Sequence, residues 1–287
     1  MISCKVIADS IANNSRITTL ELVYPRIIHG ELLTHRLFSR NSSSSRAVPT
    51  ARELEKLNKA GIALPEVFYK NCKGMSSSVA MSGLESLLAS AIVRGLWCAT
   101  ALTVRGLDAL GVHKQHKNRY LEPFNFITTL VTATEWDNFL ALRNNEAAQP
   151  EMQELARSIR ASLGASRPTL LSQGGWHMPY GYDKVTSVAR CARVSYLSHD
   201  GKENTREADA VLHDRLLADG HMSPFEHCAR PLTKAELAVC TRAAMLFDGS
   251  PLAGIADSPF MVGNYKGWVS YRRELEAGFS TPVIRNT

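Results

Sequence analysis

Apolar and polar positions alternate at the start of the chain, where Ile2, Cys4, Val6 and Ala8 interleave with Ser3, Lys5 and Asp9. Ile17 to Tyr24 is rich in β-branched residues, and Ala12-Asn13-Asn14-Ser15 between the two runs is a turn. Two extended runs around an Asn-Asn turn predict a β-hairpin, which Pro25 ends. The spacing becomes helical over residues 26–36. Arg40 to Pro49 is polar and reads as a loop holding four consecutive serines, Ser42 to Ser45. Thr50-Ala51-Arg52-Glu53 has the form of a capping box opening the next helix. After an irregular stretch at 64–78, Leu84, Leu88, Ile92, Leu96, Ala99 and Leu102 recur at helical spacing. This predicts a long helix from about Val79 to Leu110, stopped by Gly111, with its stripe packed in the core. A strand is predicted over Phe124–Thr132, with helices from near Thr134 and from about Gln149 to Leu163. Residues 164–186 are loop-rich and Ser187–Tyr196 reads as extended. Thr205 caps a helix striped by Ala208, Val211, Leu212 and Leu216 and ended by Gly220. The tail, with Trp268 and Tyr271, has little periodicity. Strands and helices are interspersed, so the class is α/β or α+β.

Composition narrows this picture. The 287 residues are 45% hydrophobic and 21% charged, an ordinary globular balance that excludes wholesale disorder. With no repeats and no long linker, one domain over residues 1–287 is expected. The longest apolar stretch, Leu87 to Leu102, is broken by Arg94 and Gly95, so no membrane association is expected. The first residues reach Asp9 before any signal-peptide core forms, and a cytoplasmic location is expected. Cys4, Cys72, Cys98, Cys191, Cys228 and Cys240 form no C-x-x-C pair and read as reduced thiols. The net charge of +6 suits an anion-binding enzyme or a nucleic-acid surface. No block of five like charges is present, so no specific nucleic acid is expected.

Four segments carry candidate chemistry. Thr34 to Arg46 holds His35, Arg36, Arg40, Arg46 and the serine run; hydroxyls and guanidinium forks suit a phosphate, although a solvated loop has the same composition. Gly220-His221-Met222-Ser223-Pro224-Phe225-Glu226-His227 offers two histidines and a glutamate, but lacks the i, i+4 pairing of a helical zinc site, and no metal is expected. Asn138 to Arg143, followed by Ala148-Gln149-Pro150-Glu151, places Arg143 on an amphipathic helix. His113 to Pro123 is basic, facing either an anion or solvent. No dinucleotide-binding glycine fingerprint, Walker A loop or nucleophile elbow occurs.

Together these segments resemble the flavin-dependent thymidylate synthases. That family carries Arg-His-Arg, seven residues, serine, one residue and arginine; here Thr34-His35-Arg36 is followed by Ser44 and Arg46. Arg119-Tyr120-Leu121-Glu122-Pro123 is similar to its Arg-x-x-Leu-Pro segment. Asn138–Arg143 with Ala148, Gln149 and Glu151 is similar to its Asn-Phe-Leu-x-Leu-Arg and Ala-Gln-x-Glu. Its Ala-Ala-Arg-Val-Ser, helix and Gly-His-x-Thr-Pro-Phe-Glu-His resemble Cys191–Ser195 and Gly220–His227, but the family places them before Arg-His-Arg. The chain therefore resembles a circular permutation of the family. The resembling stretches, 25–46, 113–156 and 187–227, make up more than a third of the chain. Thr34 replaces the family's first arginine, Ser42 a glutamate, Ala147 a histidine, and Glu31 stands where glutamine is frequent.

The resemblance implies a mixed central sheet flanked by helices and conversion of dUMP to dTMP. It implies FAD as cofactor, with NADPH and methylene-tetrahydrofolate as co-substrates, in a homotetramer with shared sites. By the same resemblance, Arg143 is catalytic at the pyrimidine ring. Glu31, Thr34, Ser44, Ser45, Arg46 and Arg119 bind the nucleotide with it, and His35, Arg36, Ser42, Asn138, His221 and Ser223 bind FAD. The departures at Glu31 and Thr34 leave another pyrimidine nucleotide, such as dCMP, open as substrate. A basic nucleic-acid-binding protein without catalysis is the alternative from outside the enzyme class.

Overall fold

The computed structural model describes residues 2–74, 76–172, 174–195, 205–238 and 261–278. β1 (Ser3–Ala12) and β2 (Ser15–Pro25) form the predicted hairpin. Asn13 and Asn14 turn it with φ of 51° and 58°, a conformation that asparagine tolerates and tight hairpin turns require. The helices include α1 (His29–Leu33), α2 (Thr50–Ala60), α3 (Gly83–Ala109), α4 (Lys114–Lys117), α5 (Asp137–Arg143), α6 (Pro150–Ala165), α7 (Lys184–Ala192), α8 (Arg206–Ala218) and α9 (Tyr271–Gly278). With β3 (Ser39–Ser42), β4 (Phe126–Ala133) and β5 (Thr169–Leu170), the hairpin builds a five-stranded sheet in the order β3-β4-β2-β1-β5. Only β5 runs parallel to its neighbour, so the sheet is mixed and the α/β class holds.

The pleat assigns the two sheet faces. Leu20, Leu22 and Tyr24 of β2 pack with Ile127 and Val131 of β4 against Met152, Leu155, Ala156 and Ile159 of α6. That α6 stripe keeps i, i+3, i+4, i+7 spacing and is fully buried. The other face is covered from the far end of the chain, where Leu130 meets Cys191 and Val194. A buried hydrogen-bond chain fixes the same contact: Ser10 Oγ, His177, Thr19 Oγ1, Thr132 Oγ1 and His227 Nδ1 follow one another at 2.6–2.9 Å.

Four expectations are corrected. β3 lies within the segment read as a loop; as an edge strand it is held by its backbone ladder to β4 and by Ser42 Oγ at 3.0 Å from Thr129 Oγ1, and so shows no apolar alternation. Thr50 makes no capping box: its hydroxyl donates to Asn118 Oδ1 (2.7 Å), and Glu53 accepts from Asn125 Nδ2 (2.6 Å). The capping box is Ser82 with Glu85, opening α3. Ser187–Ser195 is helical, not extended, because Asp183 accepts the Thr186 N–H and starts α7; Tyr196, like Cys240, lies outside the described residues. The tail, which has little periodicity, reaches the core: β6 (Ala229–Pro231), β7 (Met261–Val262), β8 (Tyr265–Lys266) and β9 (Trp268–Ser270) bring Trp268, fully buried, against Ile17, with its indole N–H donating to Ser15 O.

The fourth correction is α3. Only Ala101 and Val104 of its 27 residues are buried, and Leu84, Leu88, Ile92, Leu96 and Leu102 are each 57–74% exposed. The stripe expected in the core therefore faces outward. Arg94 and Gly95 do not interrupt the helix, and by length and composition alone it is long and apolar enough to cross a membrane, as core helices also are.

Candidate active site

Arg143, the last residue of α5, reaches back to α1 and the turn after it. Its Nη1 lies 2.8 Å from Glu31 Oε2, its Nη2 donates to Thr34 Oγ1 (3.1 Å), and its Nε donates to His35 Nε2 (3.1 Å). Four residues read separately as site candidates thus form one cluster across more than a hundred positions of sequence. His35 is wedged between aromatic rings, edge-on to Phe139 at 4.8 Å and stacked near Phe38 at 5.7 Å. Burial lowers its pKa, and the nearby Arg143 and Arg40 lower it further. A neutral imidazole is what the geometry demands, since its Nε2 accepts from Arg143 and the proton is therefore assigned to Nδ1. The cluster stays reachable: the Arg143 and Glu31 side chains are 21% and 35% exposed.

Arg40 does not join the anion-binding set its segment suggested. Its Nη1 donates to the carbonyls of Leu32, Leu33 and His35, tying off the end of α1 and fixing the turn that carries Thr34 and His35. Arg40 is therefore a positioning residue.

The serine run continues from β3. Ser43 pairs with Thr128 through its backbone and its hydroxyl. Ser44's hydroxyl has no protein partner among the described residues. Ser45 Oγ donates to Glu122 Oε1 (2.6 Å), and the same carboxylate receives Arg119 (2.9 Å) and Arg26 (3.1 Å). Ser45 and Arg119 are thus engaged by Glu122, and Ser42 by Thr129. Sequence reasoning gave no role to Arg26, which lies at no motif position, or to Glu122, which stands at the leucine position of Arg-x-x-Leu-Pro; the spacing of Arg119 and Glu122 three apart was the available signal.

Arg36, Arg46, Asn138, His221 and Ser223 differ from this cluster. All five are exposed, and none has a side-chain hydrogen bond or ion pair among the described residues. His221 and His227 do not converge: His227 is fully buried and bonded to Thr132, and burial holds its pKa down to about 3. The segment with Ser223 nevertheless packs against β3, and Asn41 Nδ2 donates to Cys191 O at 2.7 Å. The two parts of the chain that the permutation reading joins are in contact.

A family model described as thymidylate synthase complementing protein matches residues 10–169. The match includes Thr34–Arg46, Arg119 and Asn138–Arg143, and stops before 187–227. No curated protein matches the chain. Among solved structures, the UMP/dUMP methylase PolB from Streptomyces cacaoi bound with 5-Br UMP is 13% identical with a TM-score of 0.49, over 57% of this chain and 89% of that one. The flavin dependent thymidylate synthase ThyX from Helicobacter pylori complexed with FAD and dUMP is 20% identical with a TM-score of 0.37, over 51% of this chain and 67% of that one.

Proposed function

Because this chain belongs to the thymidylate synthase complementing protein family, we propose that it is a flavin-dependent transferase that methylates C5 of a pyrimidine nucleotide, converting dUMP to dTMP. The observation that carries the reading is the cluster of Arg143, Glu31, Thr34 and His35, which draws two separate motifs into one half-open site. Overall, methylene-tetrahydrofolate supplies the carbon and NADPH the hydride, leaving tetrahydrofolate and NADP⁺. FAD, when bound, carries the redox chemistry between them. Arg36, Asn138, His221 and Ser223 fit such a group, being exposed donors with no protein partner among the described residues.

The chain's own residues do the positioning. Arg143 faces the pyrimidine ring and stabilises negative charge as it develops on a ring carbonyl. Glu31 offsets the guanidinium charge and, with Thr34 and neutral His35, holds its plane fixed. Ser44, Arg46 and Arg119 receive the phosphate, Arg119 by exchanging Glu122 for the substrate. The exposed FAD donors and the apolar outer face of α3 both support a homotetramer with shared sites, in which α3 packs on a second copy and covers Leu84, Leu88, Ile92 and Leu96, since a large exposed apolar patch marks an interaction surface. Glu31 also favours a second reading, in which its carboxylate accepts from the amino group of a cytosine nucleotide.

The test is anaerobic incubation of the reduced flavoprotein with methylene-tetrahydrofolate and either dUMP or dCMP, with products identified by mass. A 14-dalton gain on dUMP alone is expected, by the mass of the added CH2 group (roughly 14 Da). A gain on dCMP alone assigns the cytosine reading. A protein that takes up no FAD and converts neither nucleotide removes both.

A further inference from the structure

Residues 261–278 lie beyond the segment that the family model matches, and none of the four candidate segments falls among them. α9 nevertheless packs on the turn at Ser223–Glu226, next to His221. The Tyr271 N–H donates to Cys228 O (2.7 Å), and the Tyr271 ring lies 5.9 Å from that of Phe225, which is fully buried. Tyr265 Oη donates to Glu226 O at 2.6 Å. Arg272 Nη1 donates to Glu226 Oε1, also at 2.6 Å, and this is the one ion pair of Gly220–His227 among the described residues. Arg272 Nε holds Glu276, one turn further along α9, at 2.8 Å. The same turn packs against β3, the strand of Arg40. Burial lowers the Arg40 pKa, and the Glu226 carboxylate is among the groups that oppose the shift. Glu226 therefore lies between Arg40, which orders the turn of Thr34 and His35, and Arg272 of α9.

Resting on the flavin reading, we propose that Arg272 is a positioning residue for FAD: through Glu226 it fixes the turn that presents His221 and Ser223 to the cofactor. Both side chains are exposed and have no hydrogen bond of their own among the described residues, so the backbone sets where they stand. One end of the segment is anchored, because Pro224, Phe225 and His227 are buried and His227 Nδ1 is bonded to Thr132 Oγ1. The other end begins at Gly220, whose φ of 70° is the left-handed conformation that glycine adopts freely. A guanidinium that holds Glu226 keeps the turn in place before FAD arrives, so less ordering remains to be done on binding. Arg272 is not what docks α9: Arg230 pairs with Glu274, and Tyr271 packs on Phe225, without it.

The experiment is titration of FAD into the flavin-stripped full chain, followed by flavin fluorescence, with urea midpoints measured on every variant. Arg272→Ala should weaken FAD binding about tenfold, the scale of one misplaced hydrogen bond, at an unchanged urea midpoint. Arg272→Lys, which keeps the charge beside Glu226, should recover most of the affinity. Glu226→Ala should cost as much as Arg272→Ala, and the double variant no more than either, because the two residues act as one unit. Glu276→Ala should leave the affinity as it is, since an exposed i, i+4 helix pair contributes little. Full FAD affinity in Arg272→Ala would overturn the proposal. So would losses that multiply in the double variant, or a loss in Glu276→Ala as large as in Arg272→Ala, which would assign the effect to α9 as a whole. If Arg272→Ala lowers the urea midpoint, the Arg272→Lys and Glu226→Ala results decide by the same criteria. If the unaltered chain binds FAD and methylates its nucleotide while Arg272→Ala matches it, only this inference fails. If the unaltered chain takes up no FAD, the flavin reading fails with it.

Discussion

α6 and α3 are the two longest helices among the described residues, and the same periodicity announces both. On α6, Met152, Leu155, Ala156 and Ile159 are fully buried beneath the sheet. On α3, Leu84, Leu88, Ile92 and Leu96 repeat just as regularly and stand in the open. Spacing identifies a face that must be covered, but not what covers it. α6 finds its partner within the chain. α3 packs only its Trp97, Ala101 and Val104 side, against Leu54, Leu57, Leu121 and Phe124, and the rest of its apolar surface stays uncovered among the described residues. The candidate site repeats the contrast: Arg143, Glu31, Thr34 and His35 bond to one another, while Arg36, Asn138, His221 and Ser223 have no side-chain partner among the described residues.

The largest effect is expected from acid, which attacks the self-contained region. Burial holds His177 and His227 neutral, each with its pKa lowered to about 3. Between roughly pH 6.5 and 3 the unfolded chain takes up protons that the folded chain refuses, so stability falls as pH drops through that window. Urea midpoints measured at intervals from pH 8 to 4 should hold until about pH 7 and then decline, and a His177→Gln variant should show a shallower decline. An unchanged slope in that variant would remove His177 from the account.

Leu155→Ala on α6 should lower stability by about 2–5 kcal/mol, at any protein concentration, through lost burial and the cavity left beneath the sheet. Equilibrium denaturation at two concentrations checks both statements. Arg143→Ala should lower turnover by about 10²–10³-fold, with flavin still bound, because one group stabilising developing charge is removed. Turnover at the unaltered rate with FAD in place would end the ring-stabilising role.

The smallest effect on the isolated fold is expected on α3. Ile92→Glu with Leu96→Glu should change the stability of a single chain by about 0.5 kcal/mol or less at each site, since both side chains are solvent-exposed there. Sedimentation velocity should nevertheless shift from an assembly to a monomer, and turnover should fall with it. An assembly of unchanged size would show that α3 is covered by something other than a second copy; flotation with lipid vesicles then tests a membrane as that cover.

Local chemistry determined a good deal. The Asn13-Asn14 hairpin, the α6 stripe, the Thr205 cap of α8 and the glycine ends of α3 and α8 all follow from rules that act over a few residues, and each was legible. So were the motif residues themselves, because each motif keeps a fixed local spacing. Tertiary structure alone decided the rest. β3 is a strand because β4 offers it a ladder, and nothing in Ser39–Ser42 announces that partner. Glu31 beside Arg143 becomes a paired carboxylate rather than a repulsive one only when α1 and α5 meet, 112 residues apart in sequence. Arg40 caps carbonyls instead of binding an anion for the same reason. Hydrogen bonds and apolar contacts between distant segments depend on where the backbone goes, and a pattern read along the chain carries the need for such a partner without its identity.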